Sequence, residues 1–132
     1  MTQRHRLIFF LRITGTVAGS AVFCAMLPMP AMDAIHRMLG MGPLPTGPIV
    51  EYLARSTSFA YALLGALLWT VSMDIARYHA LIRGIGYSFL ALSLFLLSTD
   101  LHAQLPLFWQ VAEGPINGLL GLAILILARQ TR

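Results

Sequence analysis

The sequence predicts an all-α integral membrane protein: a four-helix bundle with both termini cytoplasmic and a short interfacial helix in its first outer loop. Three observations predict it. The chain has 132 residues, room for one domain, and it is 58% hydrophobic and 11% charged; a soluble domain carries about 25% charged residues. The apolar residues gather into four runs that approach the ~20 residues needed to cross a bilayer. All nine basic residues are arginines, and they stand at the ends of those runs. Arginines so placed suit anionic lipid headgroups and topology control. The net charge of +4 is therefore no nucleic-acid footprint.

The first crossing is expected over residues 7–27. Its basic start and apolar run have the layout of a signal peptide. Cleavage after Ala31 would put Met29 where a small residue is required, and Val22-Phe23 before Cys24 makes a poor lipoprotein site. The segment therefore reads as a retained helix. PAMDAIHRMLG then predicts the interfacial helix over about 32–39, capped by Asp33, with His36 and Arg37 in its later turns and Gly40 stopping it. Ile35, Met38 and Leu39 give it one apolar edge. GMGPLPTGP is a turn cluster.

The second crossing spans 48–73. Gly47 precedes it, and Pro48 takes the first helical position, where no amide donor is needed. The third spans about 81–99 and the fourth about 107–128. Counted from Pro115, the fourth would rise only about 21 Å, short of the ~30 Å hydrocarbon core. Either it starts near Leu107 and kinks at Pro115, or it is short and begins below the surface.

Orientation follows from the arginines. Arg4, Arg6, Arg12, Arg77, Arg83, Arg129 and Arg132 fall on one side of four crossings, leaving Arg37 and Arg55 on the other. The basic side is cytoplasmic, so both termini are expected there. Arg12 would snorkel outward from about one turn inside the boundary. Trp69 and Tyr78 mark the inner interface, and Tyr52 and Trp109 the outer.

Small residues predict close helix packing: Gly15-x-x-x-Gly19 in the first crossing, Ser58, Ala62, Gly65 and Ala66 in the second, and Gly114-x-x-x-Gly118 with Gly121 in the fourth. GPI occurs at 47–49 and again at 114–116, each time where a helix is expected to open. Two matching hairpins would make a parallel repeat; chance matches between apolar segments give the same pattern.

Polar residues gather at the outer ends, and three readings compete for them. In the first they are structural: Arg55 pairs with Glu51 one turn away, and Asp33 and Asp100 end or start helices. In the second, Glu51, Arg55, Asp100, Glu113 and Asn117 form a buried network that takes a ligand or protons, with Arg55 linked to Glu113. An acid one turn inside the membrane costs roughly 2.5–3.5 kcal/mol to insert, so a Glu113 at that depth needs a partner. In the third, Asp33, His36, Asp100 and His102 hold a metal, although neither pair has the spacing of a ligand motif. On the inner side, Asp74 and Arg77 pair locally.

No nucleophile–base set, Walker A, G-x-G-x-x-G before a soluble helix or H-E-x-x-H is present. The lone Cys24 excludes dithiol chemistry by this chain's own cysteines, and no histidine pair inside the apolar runs suggests haem. No cofactor is identifiable, and catalysis is not expected.

From Glu51 onward the layout runs through YALLGALLW, DIARYHALIRGIG, a helix ending in STD, and EGP before a last helix ending in Arg129. Over roughly residues 50–130 this resembles the DoxX-like group of small four-helix bacterial membrane proteins. The resemblance implies a four-helix bundle in the inner membrane. It also implies an association with quinone-linked oxidoreductase systems, though no catalytic residue transfers. The long first outer connection has no counterpart in that pattern. Two function classes follow. One is a non-catalytic accessory subunit or lipid- or small-molecule-binding module, with the bilayer and a membrane protein or second copy as partners. The other is a component of a quinone-linked oxidoreductase or a small transporter.

Overall fold

A computed structural model describes residues 2–131; Arg132, counted above among the inner arginines, lies outside them. The described residues are helical, with no strand. The helices are α1 (Gln3–Gly19), α2 (Ala21–Met26), α3 (Met29–Met38), α4 (Pro48–Met73), α5 (His79–His102) and α6 (Leu107–Arg129). Four stretches are long and apolar enough to cross a membrane: Gln3–Met26, Pro48–Met73, His79–His102 and Leu107–Arg129. The protein is thus a multi-pass membrane protein by the length and composition of its helices.

The first crossing and the short helix after it differ from the sequence expectation, whereas the last crossing starts where expected. The first crossing is interrupted at Ser20, which separates α1 from α2. Thr16 Oγ1 donates to Arg12 O at 2.8 Å and Ser20 Oγ to Val17 O at 2.7 Å, the back-bonding by which hydroxyls loosen a helix. The short helix expected over about 32–39 begins at Met29, because Pro28 is its cap and Pro30 stands in its first turn, where a fixed φ favours helix. Asp33 is consequently inside α3 and does not cap it. Gly40, at φ +73°, follows the helix end as expected. The last crossing starts at Leu107 with Pro115 inside it. Its 23 residues rise about 35 Å, enough to span. The second GPI therefore lies within a helix, whereas the first opens one. Gly47 is exposed with φ +146°, while Gly114 is buried where α5 crosses. The two triplets do different physical work, so they do not support a repeat.

The chain divides into two compact units, one of Arg12–Trp69 and one of Met1–Leu11 with Thr70–Arg132. In the first unit α1 and α4 form an antiparallel pair. The register is fixed by Trp69 Nε1, which donates to Thr16 Oγ1 at 3.1 Å, and by Arg55, which reaches Ala25 thirty residues back. The helices meet at glycine. A Cβ added to Gly65 would strike Gly19 N and lie 2.5 Å from Gly15 O; one added to Gly15 would lie 2.9 Å from Gly65 O and from the Trp69 ring. Leu68 and Thr14 are buried beside this crossing. The Arg12 guanidinium stacks 5.0 Å over the Trp69 ring, a cation–π contact that gives the charge a partner.

The other unit is built on the α5–α6 hairpin. His79 Nε2 lies 3.0 Å from Ala128 O at one end. Farther along, Gly86 meets Gly121, and Gly114 meets Ser93 and Leu97. Added Cβ atoms would lie 2.7 Å from Gly86 O at Gly121 and 2.8 Å from Ser93 Oγ at Gly118, so the expected small residues of the fourth crossing do admit a close neighbour. Buried in this unit are Leu7, Leu11, Val71, Ile82, Phe89 and Ile124. Asp74 Oδ1 accepts from Arg77 N at 3.1 Å, a turn-forming bond to backbone. The Arg77 guanidinium lies 5.6 Å over the Tyr78 ring.

Candidate functional site

The candidate residues fall into both units. Asp33, His36, Glu51 and Arg55 belong to Arg12–Trp69; Asp100, His102, Glu113 and Asn117 belong to the other.

Glu51 stands in the first turn of α4, where the helix dipole favours an acid. Arg55, one turn on, donates through Nε to Glu51 Oε1 at 2.9 Å. Its Nη1 donates to Ala25 O at 2.7 Å. Ala25 is in the last turn of the six-residue α2, where carbonyls lack helical donors. Arg55 thus closes a helix end and neutralises Glu51 with one guanidinium. Its side chain is 36% exposed, so water screens the ion pair. Arg55→Gln is expected to lower the unfolding free energy by about 1 kcal/mol through the lost bond to Ala25, read as a lower melting midpoint in detergent. An unchanged midpoint would remove this role.

Asp33 and His36 tether the Gly/Pro loop to α3. Asp33 Oδ1 accepts from Leu44 N at 2.7 Å, and Oδ2 accepts from Arg37 Nε at 2.9 Å. His36 Nδ1 lies 2.8 Å from Gly42 O. The Leu44 amide, and after it the Arg37 guanidinium, hold the Asp33 carboxyl below its ordinary value of 3.8. A depressed carboxylate adds stability that is complete above its unfolded pKa and lost as pH falls through the folded one. Hydrogen exchange of the 39–47 loop, corrected for intrinsic rates, should keep its protection down to about pH 4 and lose it in stronger acid. Asp33→Asn should abolish that acid step; a variant that still showed it would disprove the assignment.

In the other unit Glu113 and Asn117 come together on α6. Trp109 Nε1 donates to Glu113 Oε2 at 2.6 Å, and Asn117 Nδ2 donates to Glu113 O at 2.8 Å. A shallow cavity of about 240 Å³ is lined by Trp109, Ala112, Glu113, Ile116 and Asn117. Reading Trp109 only as an interface anchor missed this pair, which the one-turn spacing of Trp109 and Glu113 would have revealed; an indole N–H is a donor only. The expected partners Arg55 and Glu113 belong to different units; within its own unit Arg55 bonds to Glu51 and Ala25, and Glu113 to Trp109 and Asn117.

Asp100 is the outlier. It is 2% exposed, and its Oδ2 has no hydrogen-bond partner among the described residues. Its backbone O accepts from Leu105 N at 3.1 Å as the chain turns through Gln104, at φ 50°. His102, two residues on, is exposed. Among the described residues no group of three or more His, Cys, Asp or Glu could hold a metal ion. Cys24 is exposed and free.

No protein-family model, curated protein or solved structure matches this chain.

Proposed function

We propose that this protein is a non-catalytic membrane module, an accessory or lipid-binding component that crosses a bacterial inner membrane four times. Both termini lie on the cytoplasmic, arginine-rich side, in a four-helix layout that from residue 50 onward resembles the DoxX-like group, and α3, which has no counterpart in that group, rests along the outer interface. One observation carries the non-catalytic reading. Three polar side chains of the Arg12–Trp69 unit bond to backbone of that same unit: Arg55 to Ala25 O, Asp33 to Leu44 N, and His36 to Gly42 O. Such bonds fix loops and helix ends and leave little side-chain capacity for chemistry. The large apolar side chains left exposed on the helices, among them Phe9, Phe59, Leu94 and Leu119, suit lipid or another membrane protein.

Reporter domains fused to each end test the topology: both should report cytoplasmic, and a periplasmic signal from either sinks it. Purification in mild detergent tests the accessory role. Stable recovery with a larger membrane enzyme supports it. Substrate turnover or transport by the purified chain alone, abolished by Glu113→Gln or Asp100→Asn, would replace the reading.

A further inference from the structure

A second polar feature lies at the inner end of the α5–α6 hairpin. Arg83 and Tyr87 on α5, with Leu122, Leu125, Ile126 and Arg129 on α6, line a groove of about 700 Å³. Its chemistry is graded along the helix axis. Arg83 and Arg129 stand toward one end, the second turn of α5 and the last turn of α6. Leu122 lies seven residues before Arg129, about 10 Å deeper along the helix. Gly86 shapes the floor: a Cβ there would lie 2.8 Å from Leu125 Cγ. No acid lines the groove. Neither guanidinium makes a hydrogen bond or ion pair among the described residues.

A charged mouth above an apolar trough matches the head-to-tail order of a lipid. The guanidinium fork favours phosphate oxygens, and paired arginines at the cytoplasmic boundary select negative headgroups. We propose that this groove binds an acidic glycerophospholipid, with its phosphate at Arg83 and Arg129 and an acyl chain along Leu122, Leu125 and Ile126. The proposal rests on the reading of α5 and α6 as membrane crossings.

The test uses the full chain in detergent with added phosphatidylglycerol or phosphatidylcholine, followed by native mass spectrometry. The wild type should retain phosphatidylglycerol several-fold better. R83Q/R129Q should lose that preference, whereas R6Q/R77Q, which removes the same charge outside the groove, should keep it. Leu122→Trp keeps every arginine and should weaken retention by filling the trough. Equal retention of both lipids by the wild type overturns the proposal, as does equal loss in R6Q/R77Q. Displacement of the lipid by inorganic phosphate at the same concentration also overturns it, since the site would then recognise only an anion. Carbonate washing of membranes separates the premise from the proposal. A chain released by carbonate overturns both; a chain retained without lipid preference overturns only the groove.

Discussion

Gly65→Ala should lower the stability of the purified protein by about 1–3 kcal/mol, the range for overpacking a close contact. The obstacle is backbone. A Cβ at 65 meets Gly15 O, Gly19 N and Gly19 Cα, and none of these atoms can rotate away. Separating α1 from α4 would also disturb Trp69, which bonds Thr16 and stacks under Arg12. The measurement is thermal unfolding in detergent with tryptophan fluorescence as a second readout. Gly19→Ala is the informative companion. A Cβ at 19 meets nothing within 4 Å, so this change should be neutral or slightly stabilising, since alanine favours helix. Equal destabilisation by the two substitutions would refute the contact as described.

The second large effect has the opposite sign. Asp100→Leu should raise stability by about 1–3 kcal/mol, the usual cost of a buried polar group left without a partner. Asp100 is buried, and its Oδ2 has no partner among the described residues. Leucine has the same branched, four-heavy-atom side chain, although its methyls fill more space than oxygens, and it needs no hydrogen bond. Asp100→Asn should gain less, because the amide brings its own unmet donors. Chemical denaturation in detergent gives the comparison. Lower midpoints for both Asp100→Leu and the isosteric Asp100→Asn would show that the side chain is satisfied after all, by a bound water or ion.

The crossings were legible because their signal is local. Runs of apolar residues bounded by arginine need no tertiary information, and Pro48 and Gly40 mark helix ends through their own backbone chemistry. Glu51–Arg55 was legible for the same reason, being one turn apart on one helix. Trp109–Glu113 had the same spacing, but reading Trp109 only as an interface anchor hid it. The start of α3 was misplaced because Asp33 looked like a cap; Pro30 set the first turn instead, and Asp33 faced the returning loop.

Residue order alone specifies helices apolar enough to cross a membrane and runs bounded by arginine. Each of these follows from composition and from spacings within one helix. Tertiary structure decided what the polar residues do. It placed Ala25 O under Arg55, thirty residues away, and turned Asp33 and His36 into tethers for their own loop. It buried Asp100 in the last turn of α5, which residue order had left open between a helix end, a buried network and a metal site. It also distinguished glycines that look alike in sequence: Gly65 faces a neighbouring backbone, while a side chain at Gly19 would meet open space. Burial and close approach depend on which segments return to meet which, and spacing along one helix does not encode that return.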